Sequence, residues 1–271
     1  MMAIIVNSKR SLQKDKDRGT SPTSYSCHYK LKRTTMQKIF NNKQELALYF
    51  GDYLLNLSQD QQEINIALSG GSTPKAIFEV LAKEYATSID WTKLRFFWGD
   101  ERCVPPNDHE SNFGMTREHL FDHVGTKAAN IFRVKGELEP DEAVNDYINI
   151  LEENIPNVDG IPQFDIMLLG MGDDGHTASI FPHQIGLWNS ENTCELAQHP
   201  DSGQFRITLS GKVINNSKQI FFIVTGNNKA EKLEEIIKQQ GNYKTYPAAL
   251  VNMTKTEWLL DKEAAKNICT E

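Results

Sequence analysis

The stretch from Phe164 to Pro182 reads Phe-Asp-Ile-Met-Leu-Leu-Gly-Met-Gly-Asp-Asp-Gly-His-Thr-Ala-Ser-Ile-Phe-Pro, an apolar run that breaks into glycines, two aspartates and a histidine. Phe164 to Leu169 has the length and apolarity of a buried parallel strand. Gly170, Gly172 and Gly175 free the backbone for a tight loop at the strand's C-terminal end. In open α/β sheets that end is where ligands bind. Asp174 and His176 lie two residues apart, so the carboxylate can orient the imidazole. An oriented imidazole titrating near neutral pH is the usual general base. Taken alone, the segment also reads as a polar turn with an incidental histidine.

Outward from this stretch, helix and strand signals alternate. Lys43 to Ser58 sets Leu46, Ala47, Phe50, Tyr53, Leu54 and Leu57 on one helical face. Ile64 to Leu68 is a short apolar strand, and Pro74 to Tyr85 a helix with proline in its first turn. Leu94 to Trp98 reads as a strand, and Ser111 to Phe121 and Asp141 to Asn154 as helices. Arg206 to Leu209 and Gln219 to Thr225 read as strands, and Lys229 to Gln239 as a helix. Asp261 can cap a last helix from Lys262 to about Ile268. Such alternation predicts a mostly parallel sheet with helices on both faces. Residues 183 to 203 are polar and read as a loop over the site.

Three further places could do chemistry. Ser69-Gly70-Gly71-Ser72-Thr73-Pro74 follows a strand and opens a helix. Its glycines admit a close ligand, and free N–H groups with Ser and Thr hydroxyls suit an anion such as phosphate. It is not a P-loop, because no Gly-Lys-Ser/Thr follows. A plain capped turn would look similar. Gly99-Asp100-Glu101-Arg102 follows the strand at Leu94 to Trp98. Arg102 there either pairs with the acids or faces a phosphate. His109, further along this polar loop, reads as a loop or capping residue. Lys229 stands at a helix N-terminus, where a cation is disfavoured unless an anion is near. Arg206 heads a strand and either faces phosphate or caps an edge.

The bulk numbers narrow the class. The chain has 271 residues, a formal charge of −7 and no apolar run near the ~20 residues of a membrane span. Cys27, Cys103, Cys194 and Cys269 are scattered and form no C-x-x-C pair, so no zinc or redox motif is signalled. Net acidity weighs against nucleic acid or a membrane surface as partner. Residues 1 to 36 differ: eight Lys or Arg and two Asp give them +6, against −13 for the remainder. That Ser- and Lys-rich segment reads as a disordered extension. A transit peptide, a true start at Met36 and a plain tail all fit it. A single domain over 37–271 is expected.

Three quoted stretches, in this order, resemble the 6-phosphogluconolactonase family of the soluble, sheet-based type. They are Ser69 to Pro74, Phe96 to Met115 and Phe164 to Pro182, joined by Arg206-Ile-Thr-Leu and Val224-Thr-Gly-Asn-Asn-Lys-Ala. The resemblance implies a Rossmann-like three-layer α/β sandwich, shared with glucosamine-6-phosphate deaminases and ribose-5-phosphate isomerases. It implies hydrolysis of 6-phospho-D-glucono-1,5-lactone without metal or organic cofactor. Ser69, Gly70, Gly71, Ser72 and Thr73 would then cradle phosphate, with Arg102, Lys229 and Arg206 neutralising it. His176 would activate water with Asp174 behind it, and amides of Gly170, Gly172 and Gly175 would meet the oxyanion. A small-molecule substrate, a cytoplasmic location, and a monomer or weak homo-oligomer are expected. The deaminase pattern carries a glutamate five residues after its histidine, where this chain has Phe181. It also carries a tyrosine where this chain has Arg102. A non-catalytic sugar-phosphate sensor is the rival of another class, and the presence of both Asp174 and His176 counts against it.

Overall fold

The computed structural model describes residues 36–268. Its strands are β1 (Met36–Phe40), β2 (Ile64–Leu68), β3 (Leu94–Trp98), β4 (Asp100–Arg102), β5 (Asn157–Val158), β6 (Ile161–Pro162), β7 (Ile166–Gly170), β8 (Cys194–Gln198), β9 (Phe205–Leu209), β10 (Gln219–Val224) and β11 (Thr256–Asp261). Its helices are α1 (Lys43–Asp60), α2 (Ser72–Glu84), α3 (Asn112–His119), α4 (Pro140–Asn154), α5 (Gly211–Asn216), α6 (Ala230–Lys238) and α7 (Lys262–Ala265), with short 3-10 turns between them. Met36 opens β1, one residue before the domain boundary read from the sequence. The extension proper, residues 1–35, lies outside the described residues.

Six strands form one sheet in the order β1-β11-β10-β7-β2-β3, and every pairing in it is parallel. All five residues of β2 and all six of β11 are buried, as a sheet covered on both faces requires, and β2 has the near-continuous apolar run such a strand shows. Successive residues Phe221 and Phe222 of β10 point to opposite faces. Phe221 meets Phe50 and Tyr53 of α1 edge-on, while Phe222 stacks on Trp258 of β11 at 4.3 Å. The expected α/β architecture with a mostly parallel sheet is what the chain adopts.

Several local expectations need correction. The helix expected from Pro74 starts at Ser72, so two cradle residues belong to its first turn. The strand expected over Phe164 to Leu169 runs from Ile166 and takes in Gly170. Lys229 ends a 3-10 turn, and α6 begins after it. The last helix stops at Ala265, although Asp261 does cap it, accepting from Ala264 N. Residues 183 to 203 are not a loop: a 3-10 segment fills Pro182–Asn189 and β8 follows. β9 leaves the parallel sheet and forms an antiparallel sheet in the order β4-β9-β8. β1, β4 and β11 went unread because they mix polar with apolar residues. Glu257 in β11 is buried only because Lys38 of β1 (2.7 Å) and the Tyr49 hydroxyl (2.9 Å) meet it.

β3 is an edge strand, so the outward N–H and C=O of Trp98 have no ladder partner. The buried Tyr147 of α4 supplies both, donating to Trp98 O and accepting from Trp98 N, each at 2.8 Å. Tyr147→Phe leaves both groups buried and unmet, at roughly 1–3 kcal/mol each. Thermal unfolding should show Tm lowered by about 4–24 °C; an unchanged Tm would refute this role.

Candidate active site

From β2 the chain steps outward to β3, then returns to the other side of β2 as β7 and continues to β10 and β11. The strand order therefore reverses between β2 and β7, the place where doubly wound sheets bind ligands. The loops after these two strands are the Ser69–Thr73 turn and the Gly172–His176 turn. Between them lies a polar cleft of about 240 Å³, lined among others by Ser69 to Pro74, Asp100, Arg102, Asn112, Gly170 to Gly172, His176, Arg206, Thr225 and Lys229. That is below the ~300–1,000 Å³ usual for drug-sized ligands, so the guest is small.

The histidine loop is built from within. Asp174 Oδ1 accepts from the His176 amide at 3.0 Å and meets His176 Nδ1 at 2.6 Å. An ionised carboxylate only accepts, so Nδ1 carries a proton, and in the neutral ring Nε2 is the nitrogen left with its lone pair. Burial works against the Asp174 charge, yet the hydrogen bond and charge of His176 outweigh it and hold the carboxyl below its ordinary range. Gly172 leaves room for the pair, because a Cβ there would sit 2.2 Å from the imidazole. Gly175 turns with φ +85° under the Tyr246 ring. Ala178, which also lines the cleft, takes φ +48°, a strain of the kind that gathers at functional sites. Behind His176 lies the fully buried Phe181, ring centroids 4.7 Å apart, and the Arg206 guanidinium stands 5.7 Å over the same ring.

The opposite wall is cationic. The Gly71 N-cap of α2 has no side-chain cap, so the first-turn N–H groups face the cleft mouth without a capping oxygen. Gly70 is required by contact, since a Cβ would fall 1.7 Å from Asn112 Oδ1. Arg102 and Arg206 are directly opposed across the β4–β9 ladder. The Nε of each is buried without a hydrogen-bond partner. Burial, and then the neighbouring Arg102, lower the pKa of Arg206. Two like charges so placed call for an anion between them. Lys229 reaches the cleft from beyond β10, with Asp173 as its ion-pair partner.

The structure thus brings together His176, Asp174, the cradle and the three cations read from the sequence. It corrects other assignments. Glu101 does not pair with the Arg102 guanidinium; it caps α3, accepting from the amides of Asn112 (2.7 Å) and Phe113 (2.8 Å). Arg102 instead donates to the Glu110 carbonyl. The amides of Gly172 and Gly175 are committed inside the loop, to His176 O (3.0 Å) and Gly172 O (3.1 Å). Gly170 ends β7 opposite Ile223. The oxyanion role expected of these glycines therefore has no free loop amide at Gly172 or Gly175. No residue of 183–203 is among those lining the cleft, so that segment does not cover it. His109 is 90 % exposed beside Asp108, a loop residue as expected. Asp100, Asn112 and Thr225 were missed as cleft residues. Asp100 is buried and accepts from Ser179 Oγ at 2.6 Å, while Thr225 shares a 2.7 Å hydroxyl contact with Thr73. The signal for Thr225 was its place at the C-terminal end of a strand.

Among the described residues no helix is long and apolar enough to cross a membrane. Residues 41–260 match the family described as glucosamine-6-phosphate isomerases/6-phosphogluconolactonase. The chain is 47 % identical over 212 residues to the 6-phosphogluconolactonase of Haemophilus influenzae, covering 77 % of this chain and 89 % of that one. It is 34 % identical over 234 residues to the chloroplastic 6-phosphogluconolactonase 3 of Arabidopsis thaliana, covering 83 % and 71 %. The solved 6-phosphogluconolactonase of Trypanosoma brucei is similar with a TM-score of 0.76 at 26 % identity, covering 87 % of this chain and 99 % of that one. By sequence and by architecture, the chain belongs to the glucosamine-6-phosphate isomerase/6-phosphogluconolactonase family.

Proposed function

We propose that the protein hydrolyses 6-phospho-D-glucono-1,5-lactone to 6-phosphogluconate, within a domain spanning 37–271. One observation carries this reading: a carboxylate-oriented imidazole shares a small cleft with three cations and an uncapped helix N-terminus. The substrate has matching ends, an ester carbonyl and a phosphate. In our reading Ser69 to Thr73, Arg102, Arg206 and Lys229 hold the phosphate. Binding that remote group fixes the carbonyl beside His176. His176 Nε2 takes a proton from water as the water attacks the carbonyl, and returns it to the departing ring oxygen. Asp174 holds the ring in the required tautomer and stabilises the imidazolium. With the Gly172 and Gly175 amides committed internally, the positive field of the cleft stabilises the oxyanion.

Phe181 supports hydrolysis over the deaminase reaction. A fully buried aromatic ring stands where the deaminase pattern carries a glutamate, so the second proton carrier is missing there. For partners we propose the small-molecule substrate, with neither nucleic acid nor membrane, and for location the cytoplasm. The chloroplastic relative is in keeping with an organellar role for the N-terminal segment.

Alkali uptake in a pH-stat on freshly prepared lactone tests the activity; a rate no faster than spontaneous hydrolysis would overturn it. His176→Ala should lower kcat/KM by roughly 10²–10⁴-fold. A loss of only a few-fold would exclude His176 as the base. Gly172→Ala drives a methyl into the imidazole and to 2.8 Å from Asp174 Oδ1. It should lower kcat nearly as far while circular dichroism still reports a folded chain. Near-parental kcat would mean that the Asp174–His176 geometry is not what limits the reaction.

A further inference from the structure

The loop carrying His176 holds two adjacent aspartates with different partners. Asp174 meets His176. Asp173 is 68 % exposed and does not line the cleft. It accepts from Asn228 Nδ2 at 2.8 Å and from the ammonium of Lys229. Lys229 is itself only 18 % exposed and lines the cleft. The pair joins the loops that leave the adjacent strands β7 and β10. The hydrogen bond from Lys229 holds the Asp173 carboxyl below its usual range, so it is charged at neutral pH.

We propose that Asp173 is the resident counter-ion of Lys229 and competes with the phosphate group for it, keeping sugar-phosphate binding weak enough for product to leave. The inference rests on the reading of Lys229 as a phosphate ligand. An ammonium has three donors and can serve both partners, but a carboxylate on that ammonium repels an incoming phosphate dianion. At an exposed rim, screening limits the effect to a few-fold. Asp173 acts through Lys229 and is a positioning residue. A mere clasp has the opposite sign: without it Lys229 would loosen and anions would bind less well.

Isothermal titration of the full chain with inorganic phosphate and with 6-phosphogluconate separates the two. Asp173→Asn and Asp173→Ser should each lower Kd by roughly three- to tenfold, less as salt is added. The gain should vanish when Lys229→Met is present as well. Unchanged or weakened binding in both Asp173 variants, or a gain that survives Lys229→Met, would overturn the proposal. Parental phosphate binding by Lys229→Met alone would remove Lys229 from the cradle and this inference with it. Lactone hydrolysis, assayed separately, would report on the activity itself.

Discussion

The parallel pairing of β2 with β7 is the constraint on which the site depends. Ile66 lies opposite Ile166 and Ala67 opposite Met167, although α2, β3, β4, α3 and α4 intervene in sequence. Asp165 fixes that register from the far end of the sheet. Its carboxylate accepts from Asn65 N at 2.8 Å and from Lys218 Nζ at 2.7 Å, and its own amide donates to Asn65 O. A buried carboxylate held by donors from two other segments has little freedom to slip. With the strands locked there, the two loops at the other end must emerge side by side, one an uncapped helix N-terminus and one built around an imidazole.

The antiparallel trio β4-β9-β8 is the second support. It carries Asp100 and both arginines to the cleft from segments far apart in the chain. Glu101 anchors it to α3. Burial pushes that carboxyl up to about 7, against the pull of the Phe113, Asn112 and Arg102 amides that favour its charged form. The acid next to a cleft arginine therefore serves the scaffold, while Asp100, one residue earlier, faces the cleft. Neighbours in one tetrapeptide divide the work by strand alternation.

What was legible in the sequence follows from the same physics. Strands buried on both faces are continuous apolar runs, so β2, β3 and β10 stand out, and glycines mark the loops where backbone approaches a ligand. Short strands and strands that mix polar with apolar residues announce themselves less clearly. Asp100-Glu101-Arg102 reads as a polar turn until its β9 partner is known, and Cys194–Gln198 reads as loop for the same reason. That His176, Arg102, Arg206, Lys229 and Ser69 to Thr73 line one cleft was legible from their type and position. What each glycine amide and each of Asp100 and Glu101 does depends on hydrogen bonds between segments, which spacing does not encode. Asn112 is such a case: it is placed by its 2.9 Å bond to the Asp100 carbonyl and pressed against Gly70.

Arg102 and Arg206 stand opposite each other on one face of a short ladder, an arrangement that costs the folded state stability. On the proposed function an arriving phosphate would relieve that repulsion. Anything that binds the native state alone also stabilises it in proportion to its occupancy. On the proposed function, in which these two charges hold the substrate's phosphate, the cleft would link metabolite supply to the lifetime of the folded chain: a cell rich in sugar phosphate would keep more of this protein intact.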